Sequence, residues 1–204
     1  YFRSYETYDF IGKIKNQYLI LHNKGTEFEV KAFDKDLYDT WDKEIELEKR
    51  RSTILGIVTS KDDFSVIYTY RKKRRLNLVL SRLSPTANLL DTATIKVYTN
   101  VLTPSFKIIR SEDKTKLLIY YTKEQKKLEV LVYDLETMKV LWERKIQPSD
   151  MAYYEKYEQF VLSNDGELFI ILQKENRKLQ REKHHYEIHQ VTADNRYHFF
   201  SIPM

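Results

Sequence analysis

Four stretches of this chain read as the same strand: Tyr18 to Leu21, Ser65 to Tyr68, Leu117 to Tyr120 and Leu168 to Ile171. Aligning their isoleucines, Ile20, Ile67, Ile119 and Ile170, gives intervals of 47, 52 and 51 residues. Self-similarity at a period of about fifty residues is the mark of stacked supersecondary units, each too small to bury its own apolar face alone. No other feature of the sequence constrains the fold so strongly.

Each unit divides into four short strands, A to D. The third is the clearest, with A at Phe106 to Ile109, B at Lys116 to Tyr121, C at Leu128 to Tyr133 and D at Lys139 to Ile146. Strand A recurs at Phe10 to Ile14, Ile54 to Val58 and Gln159 to Leu162. Strand C recurs at Phe28 to Phe33, Leu76 to Leu80 and Tyr186 to Val191. The A–B turns rhyme as Ser60 to Asp63, Ser111 to Lys114 and Ser163 to Gly166. Their Ser, Asp and Asn side chains can bond the local backbone and fix a turn. Strand D repeats Trp-x-x-x-Ile at Trp41 to Ile45 and Trp142 to Ile146, and the two tryptophans are expected to pack between units. Alternating β-rich runs broken by polar turns indicate antiparallel meanders. Lys174 to His185 lacks an apolar helical stripe and reads as a long B–C hairpin. With only four glycines, most hairpins are expected to use longer polar loops rather than tight primed turns.

Four-stranded meanders repeated around an axis are the blades of a β-propeller. The phrases Phe33 to Trp41 and Tyr133 to Trp142 resemble the blades of WD40-like and quinoprotein-like propellers. They are similar in particular to those of large bacterial envelope proteins. The Gly-His and Trp-Asp signatures of WD40 repeats and the Kelch double glycine are absent, so the likeness is one of repeat style. The expected fold is all-β, with four propeller-type blades at about 8–48, 49–98, 99–147 and 148–204 in a single domain. They form either a closed four-bladed ring or an arc of a larger one. Tyr1 opens the chain in mid-pattern without a Met, which points to a processed protein or a piece of a longer chain.

The net charge of +5 hides a polarity. In a blade, B–C loops and D–A connections share one face. Here they carry Lys49, Arg50 and Arg51, the run Arg71, Lys72, Lys73, Arg74 and Arg75, then Lys123, Lys126, Lys127, Arg177 and Lys178. The opposite turns carry mostly Asp and Glu. The expected partner-binding zone is this basic face, with Tyr153, Tyr154 and Tyr157 as aromatic anchors in the connection from Gln147 to Glu158. The partners expected are other subunits of an assembly or an anionic polymer. Nucleic acid is disfavoured, because no aromatic stacking motif interleaves with the basic run.

Chemistry is sparse. Cysteine is absent, which excludes disulfides and thiolate metal sites. No Gly-x-Ser-x-Gly, phosphate loop or His-Glu-x-x-His occurs. His185 and His189 share a strand face, but with His184 they lack an evident third ligand, and they read as hairpin histidines rather than a metal site. The expectation is therefore a scaffold with no catalytic residues, metal or cofactor. The alternatives are a module for an anionic envelope polysaccharide or a propeller hydrolase or lyase. The resemblance implies the periplasm or outer membrane, and a cytoplasmic protein would have the same composition.

Overall fold

A computed structural model describes residues 6–49, 51–99, 102–123, 127–146, 156–175, 184–194 and 196–202. Among them every regular element is a strand. No helix of these residues is long and apolar enough to cross a membrane. The chain divides into two compact units, Tyr1–Thr103 and Pro104–Met204.

The first unit holds two sheets. One is β1 (Thr7–Ile14), β2 (Gln17–Asn23), β3 (Phe28–Phe33) and β4 (Asp39–Ile45). The other is β5 (Thr53–Thr59), β6 (Phe64–Lys72), β7 (Arg75–Leu83) and β8 (Leu89–Tyr98). The second unit holds β9 (Lys107–Arg110), β10 (Lys116–Lys123), β11 (Lys127–Asp134) and β12 (Lys139–Ile146), then β13 (Lys156–Leu162), β14 (Leu168–Glu175), β15 (His184–Val191) and β16 (Tyr197–Ile202). All four sheets pair in chain order, antiparallel throughout. This is the all-β fold of four propeller-type meanders that the period implies.

Strands bury alternate residues because their side chains alternate sides. In the first unit Leu19, Leu21, Phe28, Val30 and Ala32 meet Phe64, Val66, Tyr68 and Val79 across the two sheets, with Trp41 and Ile54 packed beside them. In the second, Leu118, Tyr120, Val130, Val132 and Trp142 meet Leu162, Leu168, Ile170 and Val191. The tryptophans serve this packing. Trp142 Nε1 donates to the Gly166 carbonyl at 2.9 Å, and Trp41 Nε1 to Gln17 Oε1 at 3.3 Å.

The turns explain why the phrases rhyme. Asp34 Oδ1 accepts from the backbone of Asp36 and Tyr38, and Asp134 Oδ1 from Glu136 and Thr137, so one carboxylate folds each C–D corner. The A–B turns close from Lys114 N to Ser111 O and from Gly166 N to Ser163 O, each at 3.1 Å.

Two sequence readings change. The isoleucine alignment slips by one residue in the second sheet. A bulge opposes Gly12 to Leu19 in β1–β2 and Gly56 to Ile67 in β5–β6. The counterpart of Ile20 is therefore Tyr68, not Ile67. A slip of one residue moves a side chain to the other face, and a single-letter echo of apolar residues cannot detect it. The scarcity of glycine also does not lengthen every hairpin. Lys15 (φ 56°), Lys73 (φ 48°) and Arg74 (φ 63°) take the left-handed region themselves, so β1–β2 and β6–β7 close with two-residue turns.

Candidate functional site

The sharpest predicted feature is the basic run, and the structure turns it from a loop into a hairpin tip. Arg71 and Lys72 end β6, Arg75 opens β7, and Lys72 pairs with Arg75 across the two-residue turn. All five side chains are exposed. Arg71 Nη2 donates to Thr103 Oγ1 at 2.9 Å. Left-handed φ costs a residue with a Cβ about 1–2 kcal/mol, and a two-residue hairpin with both central φ values positive is the place where Asn-Gly is favoured. Lys73 and Arg74 meet that cost with cationic side chains, which cluster the charges on a short, fixed backbone.

The other predicted residues scatter. Lys49 and Arg51 are exposed beside the β4–β5 connection, where the Lys49 carbonyl accepts from Ser52 Oγ at 2.7 Å. Lys123 and Lys127 are paired across β10–β11 in the second unit. Tyr157 lies inside β13 rather than in the connection, half-buried, with its ring 5.7 Å from Phe160 and against the core of its unit. Arg50, Lys126, Tyr153, Tyr154, Arg177 and Lys178 lie outside the described residues, as does most of the hairpin read from Lys174 to His185.

The polarity of charge is weaker than its cations suggest. A cleft of about 400 Å³ at the β2–β3 and β4–β5 ends of the first sheet is lined by Glu27, Glu44, Glu46 and Glu48, with Phe28, Leu47 and Lys49. Nearby, Glu29 is ion-paired to Lys24 at 3.0 Å and lies 3.3 Å from His22 Nδ1. The Lys24 bond holds its carboxyl down at about 2, against the opposing effect of burial, with Asp42, Lys31 and His22 assisting. The D–A ends that looked basic are thus mixed in sign at the first sheet. Counting Lys and Arg in loops misses this, because the glutamates sit on the adjoining strand end.

The histidines also find an ordinary role. Glu187 Oε2 is 2.8 Å from His189 Nε2 and 3.6 Å from Lys174 Nζ, and its Oε1 is 3.6 Å from His185 Nε2. Lys174 occupies the position at the carboxylate that a cation would need. Among the described residues no group of three metal-ligating side chains forms.

No family model matches the chain, and no curated protein does. Solved structures do. The β-propeller domain of the Trilobed protease from Pyrococcus furiosus, which has an open velcro topology, aligns with 100% of this chain and 59% of its own at 12% identity, with a TM-score of 0.58. The chain thus spans about three-fifths of that propeller. The WD40 domain of Toxoplasma gondii coronin aligns with 90% of this chain and 42% of its own (9% identity, TM-score 0.42). BamB from Moraxella catarrhalis aligns with 94% and 76% respectively (11% identity, TM-score 0.33). At such identities likeness speaks of fold alone, and it is the first alignment, together with the four meanders, that makes the fold of this chain β-propeller-type.

Proposed function

We propose that this chain is a non-catalytic propeller-type scaffold that docks a protein partner within a larger cell-envelope assembly. The observation that carries the reading is the β6–β7 tip. Five exposed cations sit on a two-residue turn whose backbone is held in an unfavourable conformation, and unfavourable backbone is commonly retained where a surface is used. Rigid strands presenting a charged tip suit recognition, since loops on a fixed scaffold carry binding. Lys49 and Arg51 extend the zone within the first unit, and Lys123 and Lys127 add cations in the second. The four blade ranges and their place in one domain belong to the same proposal. So does a periplasmic or outer-membrane location, for which cell fractionation with an antibody is the check.

The direct test is binding to an acidic peptide and, separately, to an anionic polysaccharide, followed by fluorescence anisotropy. The variant is Lys72→Gln/Lys73→Asn/Arg74→Gly, which removes three cations and gives the turn the residues it prefers. Peptide affinity is expected to fall about tenfold, with a shallower salt dependence. Unchanged peptide affinity would refute the docking zone. Loss confined to the polysaccharide would replace a protein partner with a polymer.

A further inference from the structure

The two halves of one blade-on-blade contact lie open on this chain. On the first sheet, the face opposite Leu19 and Leu21 carries Tyr8 (61% exposed), Phe10 (65%), Tyr18 and Ile20. On the fourth, the face opposite Leu168 and Ile170 carries Val161 (44%), Ile171, Ile188, Phe200 (59%) and Ile202 (42%). Isolated exposed apolar residues are ordinary, but contiguous apolar faces mark contact surfaces.

Internal equivalence says what each face takes. The β1–β2 bulge follows Phe10 and the β5–β6 bulge follows Ile54, so Phe10 corresponds to Ile54 and Ile20 to Tyr68. Ile54 and Tyr68 belong to the core formed against β1–β4. The face bearing Phe10 and Ile20 is therefore the type that another blade covers, through the surface a blade turns away from its predecessor. The β13–β16 sheet packs its Leu168 and Ile170 side on β9–β12, which leaves its Ile171 and Phe200 side as a surface of that second kind.

The polar part of the β1–β4 face fits burial too. His22 is only 6% exposed, stacked under Tyr8 with centroids 4.2 Å apart, and lies between Glu6 at 3.1 Å and Glu29 at 3.3 Å. Glu29 is met by Lys24 and, at 3.7 Å, by Lys31. These charges are already paired, and covering paired charges leaves no bare ion behind.

We infer that a second copy of this chain is the occupant: the β13–β16 face of one copy docks on the β1–β4 face of the other, head to tail. The inference rests on the blade equivalence and not on the basic tip, so it stands or falls apart from the proposed function. Such a contact is heterologous rather than self-matching, and this decides the test. Molar mass is measured by light scattering from about 1 to about 100 µM, the range of affinities expected of a modest interface. The wild-type mass should rise with concentration toward twice the 24.7 kDa of one chain. Phe10→Asp and Phe200→Asp should each stay at 24.7 kDa. Both residues are solvent-exposed in the single chain, so the variants should fold; circular dichroism verifies this, and Phe10→Ser and Phe200→Ser are the milder pair. Wild-type chain that stays monomeric throughout would overturn the inference and leave the faces to other blades or another protein. A dimer that survives either single variant would overturn it as well, since that is the behaviour of a face pairing with itself.

Discussion

The β1–β4 and β5–β8 sheets are two copies of one repeat in very different surroundings. Phe10 and Ile20 are exposed or half-buried, while their counterparts Ile54 and Tyr68 lie in the core. On β6 and β7 both faces are buried: Val66, Tyr68 and Val79 on one, Ile67, Leu78 and Leu80 on the other. The same sequence pattern therefore does not carry the same energy at each repeat. What a residue contributes depends on which neighbour its face meets, and a repeat at the end of a stack keeps apolar residues that its interior counterpart spends on packing.

The comparison can be broken by paired substitutions. The largest difference is expected at the tyrosine and its counterpart. Tyr68 is 1% exposed and its hydroxyl lies 3.3 Å from Ser81 Oγ. Tyr68→Ala should cost about 3–5 kcal/mol in urea unfolding, and Ile20→Ala about 1. Equal losses would deny the register equivalence.

The tryptophans come next. Trp142 is 8% exposed with a 2.9 Å bond to a backbone carbonyl, whereas Trp41 is half-buried with a longer bond to a side chain. Trp142→Phe should destabilise by about 2 kcal/mol and Trp41→Phe by less than about 1. Gly12 sharpens the first sheet further: at φ 141°, with Thr59 Cγ2 3.1 Å from where a Cβ would stand, Gly12→Ala should cost about 1–2 kcal/mol.

At the basic tip the sign reverses. Lys73→Asn/Arg74→Gly relieves two left-handed residues and should raise stability by about 1 kcal/mol in the same denaturation assay. If it lowers stability, the turn is not the strained one described.

The smallest effect is electrostatic. Glu29 is held down to about 2 by Lys24, so its pairing stabilises the fold above the ordinary carboxylate range and is lost as pH falls from about 4.5 toward about 2. Lys24→Gln should move the acid unfolding midpoint to higher pH, with little change near neutrality.

Much of the fold was legible because the repeat is written in strand-sized phrases with a turn carboxylate at fixed places, Asp34 and Asp134. The bulge that makes Tyr68 the partner of Ile20 was not, because backbone register leaves no mark on a list of apolar residues. At the candidate site, the cations Arg71 to Arg75 were visible as composition, but their tight turn was hidden by an expectation of Gly or Asn at positive φ. The glutamates around Lys49 were visible as letters. Their place at the same end of the sheet needed the strand to be aimed. Tyr157 shows the converse error, since an aromatic next to a polar connection can as well begin a strand.

The most direct test of the account is the unfolding free energy of Phe10→Asp against Ile54→Asp, measured below about 1 µM so that association contributes little. The account predicts that Ile54→Asp loses about 3 kcal/mol or more and Phe10→Asp no more than about 0.5. Equal destabilisation by the two would contradict it, because the two positions would then share one environment and the first sheet would have no open face.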